Sequence, residues 1–488
     1  MALRGKIGLD EAEDEDLDYS KARTTTKYEP IFAATRRDGA SFPDLVVARR
    51  QKTPGIRRSS LLDLGRTASR HQPREVSAMN SNWQKIESRI SRRGVLKSLA
   101  GTAALHVLHS SAQERTGPAL IPNSPNPRWY GFNLLEYFST DPDWMKMFPY
   151  KNDGEFREND FRWMHDWGFN FVRLPLDYRF WTNSTDPLKI DEKKVEPIDR
   201  AIRLGEKYGV HVNICMHRAL GACVLDLGDP SVTGIRVTQE NTSVYTDPKA
   251  LNAFSHQWSY FASRYKSISN AQLSFDLLNE PARISSSDSF SSINPAELAK
   301  SLSAGKEDYA RVATAAIQAI RQQDPKRLIV SDGYPFAQDI IPQLFASKVI
   351  QSCHDYTPAQ LTLHRAPWSP HSDGPLPTWP LKDQNGVVIA DRSTMQKALQ
   401  KWATLSEHGI PIHFGELGCY NQTPSAVVYA WFDDTLDLLG ELHSGWALWN
   451  LRGSFGILDS DRKGTNYQDW HGHQLDIGLL KLLQRKMR

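Results

Sequence analysis

Cysteine is scarce: the chain of 488 residues has four, Cys215, Cys223, Cys353 and Cys419. So few cannot staple a scaffold of this size, and no close Cys/His pairs recur to make a zinc site. Each reads as a small buried apolar side chain, with a Cys215–Cys223 bridge left open for an oxidising compartment. Excess charge of one sign is also lacking. The 59 Lys and Arg against 56 Asp and Glu leave a net charge of +3, which argues neither for nucleic acid nor for an anionic membrane as the main partner; no nucleic-acid partner is expected. No stable membrane span is expected, because the mildly apolar stretch Ser98–Leu108 is too short and too polar to cross a bilayer. No Gly-rich phosphate loop follows the first strand-like segment, which disfavours a doubly wound dinucleotide-binding sheet. His-x-His is absent there too, the residues being Phe132-Asn133-Leu134, so a metal-dependent barrel hydrolase is disfavoured. Neither a metal nor a cofactor is expected.

The chain has two unlike parts. Residues 1–78 open with an acidic run, Asp10 to Asp18, then turn Arg-rich at Arg36-Arg37, Arg49-Arg50 and Arg57-Arg58. Without sustained apolar periodicity they are expected to be disordered. In residues 79–112 the run Ser91-Arg92-Arg93-Gly94-Val95-Leu96-Lys97 resembles a twin-arginine export motif. The mildly apolar stretch follows it, and Ser110-Ser111-Ala112 supplies small residues for a signal peptidase. An amphipathic basic helix is the alternative. Such a leader belongs near an N-terminus, and Met79 stands just upstream. The expectation is therefore a natural start at Met79, cleavage after Ala112, a linker over 113–128, and export to the periplasm or beyond.

From Trp129 onward short apolar runs alternate with helical stretches. The runs are Trp129–Leu134, Phe171–Leu174, Val210–Met216, Gln272–Leu278, Leu328–Ser331, Val349–Ser352, Ile412–Gly415 and Gly445–Leu448. Being near-continuously apolar, they read as strands covered on both faces. Helical spacing marks Val195–Tyr208, Leu251–Tyr265, Glu307–Gln323 and Thr394–Glu407 among seven intervening segments, and a terminal helix near Leu475–Gln484. Eight such units predict an α/β fold, a (β/α)8 TIM barrel over residues 129–488.

A barrel of this kind carries its chemistry at the C-terminal ends of its strands. Arg173, His217, Asn279 with Glu280, His354 with Tyr356, Glu416 and Trp449 stand at or just after the ends of six strands. Singly, each has a plain alternative: a structural ion pair for Arg173, a hydrogen-bonded core histidine for His217 or His354, packing for Tyr356 and Trp449, a helix-starting turn for Asn279-Glu280-Pro281. Jointly they match glycoside hydrolysis, which needs two carboxyl groups flanking the scissile bond. Strands four and seven face each other across a barrel mouth, and a retaining mechanism wants their carboxyls roughly 5 Å apart. Tyr356 is placed to donate to a carboxylate, Asn279 to bind a sugar 2-OH, and Trp449 to offer a pyranose ring an apolar face.

This set resembles glycoside hydrolase family 5, the cellulase-type (β/α)8 glycosidases. The likeness is carried by Phe171-Val172-Arg173-Leu174-Pro175, Cys215-Met216-His217, Asp276-Leu277-Leu278-Asn279-Glu280-Pro281, His354-Asp355-Tyr356-Thr357-Pro358, Phe414-Gly415-Glu416 and Trp446-Ala447-Leu448-Trp449-Asn450. It runs from about Trp129 to Ile477. The resemblance implies Glu280 as general acid/base and Glu416 as nucleophile, with Arg173, His217, His354, Tyr356 and Trp449 around the cleaved sugar. On that reading Glu416, beside Arg173 and Tyr356, is ionised at neutral pH, and Glu280 holds the proton.

The expected substrate is a β-linked polysaccharide or oligosaccharide, with an endo-β-1,4-glucanase as the leading reading. A β-mannanase or β-1,3-glucanase on the same fold is the alternative, and a non-catalytic carbohydrate-binding barrel is the reading from another class. The loop from about Pro358 to Arg392 carries Trp368 and Trp379, as walls for further sugar units or as a packed lid. Oligomeric state and endo or exo action have no signature in the chain.

Overall fold

A computed structural model describes residues 127–140, 155–182, 186–222, 243–283, 295–369 and 374–487. The leader, the segment before it, nearly all of the linker and Cys223 lie outside the described residues. Cys215, Cys353 and Cys419 are free, buried thiols.

Eight parallel strands close a barrel: β1 (Tyr130–Asn133), β2 (Phe171–Asp177), β3 (His211–Arg218), β4 (Leu273–Asp276), β5 (Ile329–Asp332), β6 (Ile350–Asp355), β7 (Ile412–Leu417) and β8 (Trp446–Leu448). Each pairs with the next, and β8 returns to β1 through Tyr130–Trp446 and Phe132–Leu448. The helices α1 (Glu158–Asp166), α2 (Glu192–Tyr208), α3 (Pro248–Arg264), α4 (Pro295–Gln323), α5 (Arg392–Glu407), α6 (Ser425–Glu441) and α7 (Ile477–Lys486) cover the strands. Local chemistry sets their ends. Asp191 accepts from Lys193 N and Asp247 from Lys249 N, satisfying N-terminal amides, while Gly209 closes α2 in the left-handed region.

Two elements differ from expectation. Helix α4 starts at Pro295, well before Glu307. Ser301, Ser303 and Gly305 weaken helical spacing there, but Gly305 admits a close neighbour, since a Cβ would stand 2.0 Å from Tyr334 Oη. The fifth crossover has only a 3-10 turn, Pro342–Ser347. The loop after β6 folds as a short hairpin, Leu381–Lys382 with Val388–Ala390, and Trp379 Nε1 donates to Asp434 Oδ2 on α6 at 2.8 Å. Trp379 is thus part of the packed flank. Trp368 instead joins Tyr420 and Phe455, beside Trp449, in a second apolar cluster.

The base of the barrel interior is aromatic. Trp129 stacks on His211 at 4.2 Å, and His413 meets Phe171 edge-on at 4.8 Å. At Gly131 a Cβ would lie 1.7 Å from the Phe171 carbonyl oxygen, so only glycine fits this crowded pair of strands. Burial pushes His211 down to about 4 and His413 down to about 3. Both rings are therefore neutral in the folded barrel, whereas an unfolded chain takes up their protons below about 6.5. The stability tied to this neutrality is complete above that value and is lost as pH falls toward about 4. The drop in melting temperature between about pH 7.5 and about pH 5 is expected to shrink in His413→Gln, whose side chain does not titrate. Scanning calorimetry of both proteins at both pH values checks this, and parallel curves would remove His413 from the acid response.

Candidate active site

The mouth of the barrel is organised around a guanidinium. Arg173 on β2 is 1% exposed and reaches residues from four other strand ends. Its Nε donates to Asp276 Oδ2 at 2.8 Å, and its Nη1 donates to Asn133 Oδ1 at 3.1 Å and to Glu416 Oε1 at 2.6 Å. Its Nη2 donates to Asn279 Oδ1 at 2.8 Å and to Cys215 Sγ at 3.0 Å. An arginine suits this position because its fork of five donors is rigid and stays charged.

Strand alternation alone would aim Glu416 the wrong way. Phe414, two residues earlier, packs outward against Trp402 of α5. The β6–β7 register shifts here: Cys353 faces Phe414, but His354 faces Glu416. Gly415 is the extra residue of a bulge, and a Cβ on it would lie 2.7 Å from Ser352 Oγ. The bulge turns Glu416 into the mouth. Glu280 is aimed by a different device. It follows the end of β4 in the left-handed region, φ 42°, with its amide donating to Asp332 Oδ2 at 2.9 Å. A non-glycine residue held there stores about 1–3 kcal/mol of strain, a frequent feature of functional positions.

His354 joins the two carboxyls. Its Nδ1 lies 2.9 Å from Glu280 Oε1 and 3.6 Å from Glu416 Oε2, and its Nε2 lies 3.2 Å from Asp332 Oδ2. Burial alone would depress this imidazole, but the charges of Asp332 and Glu416 outweigh it and hold His354 well above the usual histidine range. Asp332 responds in kind: burial opposes its charge, and His354 and Arg173 bring it below the usual carboxylate value. Burial beside Asp332 pushes Asp276 up to about 6 despite Arg173. Tyr356 Oη donates to Glu416 Oε2 at 3.0 Å, and burial with the two glutamates lifts its phenol well above its ordinary value, so it remains a donor.

The donors that the sequence places around Glu416 favour its ionised form, but burial works against them. Burial pushes its carboxyl up to about 7, against His354 and Arg173, with Glu280 and Asp332 adding to the rise. The cost of removing this charge from water sets the balance with those donors.

His217, at the end of β3, stacks on Trp449 at 5.5 Å, and Phe138 meets both rings edge-on. Burial, with Arg173 and Arg218, holds His217 well below the usual histidine range, so its ring is neutral, and its Nδ1 has no partner among the described residues. Trp446 belongs to the core, against Tyr130 and Phe169, which leaves Trp449 as the tryptophan at the mouth. The structure thus brings all eight sequence-predicted residues to one end of the barrel. It adds Asn133, Asp276, Asp332 and Phe138. Asp332 immediately follows the fifth predicted strand and Asn133 lies at the end of the first, so the strand-end criterion applied to all eight strands would have found both.

Glu280, His354 and Glu416 bring donor atoms within 4.8 Å of one another, the spacing of a metal-ligand set. The surroundings suit protons better than a cation, because Arg173 already supplies positive charge to Glu416 and His354 is itself held protonated.

Comparison with known proteins agrees with this architecture. The cellulase family, glycosyl hydrolase family 5, matches residues 129–454. Cellodextrinase A of Ruminococcus flavefaciens is 24% identical over 296 residues, covering 59% of this chain and 77% of that protein. Endoglucanase C of Acetivibrio thermocellus is 21% identical over 338 residues, covering 64% of this chain and 88% of that protein. Among solved structures, one described as a glycoside hydrolase superposes with a TM-score of 0.62 at 32% identity, over 73% of this chain and 99% of its own. The family match spans more than half of the sequence and takes in every residue of the mouth just described: the chain belongs to glycosyl hydrolase family 5 and is a glycoside hydrolase.

Proposed function

We propose that the protein cleaves β-1,4-linked glucan within the chain, with retention of anomeric configuration. The observation that carries the mechanism is the proximity of two carboxyl groups with different neighbours. Glu280 and Glu416 place oxygens within 4.8 Å of each other, which favours retention over inversion, where roughly 6.5–9.5 Å leaves room for water. The choice of glucan draws on relatives named endoglucanase and cellodextrinase, and on a hyperthermophilic endo-β-1,4-glucanase solved with substrate that shares the fold at 16% identity and a TM-score of 0.51. A β-mannanase or β-1,3-glucanase is the second reading; a sporulation-specific glucan 1,3-beta-glucosidase of Saccharomyces cerevisiae is 31% identical over 129 residues.

In this mechanism ionised Glu416 attacks the anomeric carbon while Glu280 gives its proton to the departing glycosidic oxygen. The glycosyl-enzyme ester then forms, and Glu280 takes a proton from the water that cleaves it. Arg173 and Tyr356 hold the Glu416 oxygens, and His354 keeps the Glu280 carboxyl in line. Asn279, its carbonyl oxygen occupied by Arg173, turns its amide nitrogen to a sugar 2-OH. Neutral His217 and Trp449 flank the sugar, and Trp368 with Tyr420 extends the wall. Export through the twin-arginine route is part of the same proposal and rests on the pattern from Ser91 to Lys97.

Glu416→Gln is expected to abolish turnover on every substrate. Glu280→Gln is expected to lose about 10²–10⁴ in rate on glucan. It should still form the glycosyl-enzyme from activated aryl glycosides and be rescued by azide as a β-glycosyl azide. Reducing-sugar assays, with NMR of the first-formed anomer, decide the matter; an inverted product or an active Glu416→Gln would overturn the assignment. Because Glu416 must be ionised to attack, kcat/KM is expected to fall as pH drops through about 7, as a rate profile on a soluble glucan will show. Mass spectrometry of the protein secreted by its native host is expected to find a chain beginning after Ala112. Peptides from Met1–Arg74 in that sample would refute the start at Met79.

A further inference from the structure

A second cluster of buried charge lies behind the mouth, outside the catalytic set. Glu136, on the segment that follows β1, is 2% exposed. Its Oε1 accepts from Arg157 Nη1 at 3.1 Å, and its Oε2 has no partner among the described residues. Asp160 on α1, fully buried, is clasped by Arg452, whose Nε donates to Asp160 Oδ2 at 3.3 Å. Arg452 also lies over the Trp163 ring, faces His473, and stands 3.9 Å from Asp459, which His473 Nδ1 contacts at 2.7 Å. Asp160, Arg157 and Arg452 are the charged groups that act most on Glu136. Three carboxyls thus gather around two arginines and a half-exposed histidine, and Glu136 Oε2 is the carboxyl oxygen with no partner among the described residues.

The location gives this proton a role. Glu136 sits between Leu135 and Phe138, which pack with Trp449 and Phe455, and Arg452 follows Trp449 by three residues. The backbone ties the same pieces together: Leu451 N donates to Asn133 O at 3.2 Å, and Asp177 N to Tyr137 O at 2.8 Å. The ionic cluster therefore braces both segments that carry the Phe138–Trp449 contact, 5.4 Å between ring centres.

We propose that Glu136 is a positioning residue for the sugar site: as a neutral acid it lets the β1 segment pack against α1 and the loop after β8, and its ionisation displaces Phe138 from Trp449. Burial and the neighbouring Asp160 push the Glu136 carboxyl up to about 8, with Arg157 and Arg452 opposing. The transition thus falls just above neutral pH and should act on substrate binding rather than on the bond-breaking step. The inference rests on the reading that His217 and Trp449 flank the sugar.

The test is the pH dependence of KM and kcat on a soluble β-1,4-glucan for the wild type, Glu136→Gln and Arg157→Met. In the wild type KM is expected to rise above about pH 8, by up to about tenfold per pH unit, with kcat little changed. In Glu136→Gln, near normal at pH 7, that rise should vanish. In Arg157→Met it should move to higher pH, because a cation favouring the ionised acid is gone. An unchanged KM profile in either variant, or a rise confined to kcat, overturns the proposal. So does equal weakening at all pH values in both variants, which marks a merely structural cluster. Absence of any activity in the wild type overturns instead the glucanase reading on which the inference rests.

Discussion

The buried guanidinium of Arg173 is the contact on which the rest of this barrel depends. Its removal from water is costly, and the cost is offset only because Asp276, Asn133, Asn279 and Glu416 all accept from it in the orientations its planar fork dictates. The acceptors come from three distant parts of the chain, so one side chain on β2 fixes the ends of β1, β4 and β7 relative to one another. Preorganisation for catalysis and closure of the barrel mouth are thus the same interaction seen from two sides. A lysine, with three donors on one nitrogen, cannot span the set.

Around that centre the backbone departs from regularity in two places. The bulge at Gly415 reverses the inward and outward alternation of β7, and the left-handed conformation of Glu280 turns the chain sharply after β4. Both are local distortions, and both aim a carboxyl at a common point that ideal strands would miss. His354 between them, anchored below by Asp332, shares protons and charge with each. The ionisation of Glu416 is therefore a property of the cluster, with burial opposing it and two cations supporting it.

Much of this was legible in the sequence, for identifiable reasons. Apolar runs such as Val210–Met216 and Ile412–Gly415 mark strands because both faces of a parallel barrel are covered, and the ionisable residues just after them, such as His217 and Glu416, mark the catalytic end. Arg173, Glu280 and Glu416 stand out by that rule. What remained hidden depends on distance. Glu136 lies beyond the end of β1 and acquires its meaning from Asp160 and Arg452, 292 residues apart. The fifth crossover contains apolar residues at helical spacing, yet Pro342 and the short run to β6 leave room for a 3-10 turn alone. The burial that raises the Glu416 carboxyl was hidden too, because a sequence shows which donors are near and does not show how far water has been excluded.

The compensated charge of the mouth carries a consequence for how a ligand arrives. Its cations already face carboxylates, and protons complete the balance, so little net field reaches beyond the rim. A neutral polysaccharide would neither feel nor screen such a site. Encounter would be slow diffusion of a stiff polymer, nearly indifferent to ionic strength, and retention would fall to ring faces and hydroxyl contacts.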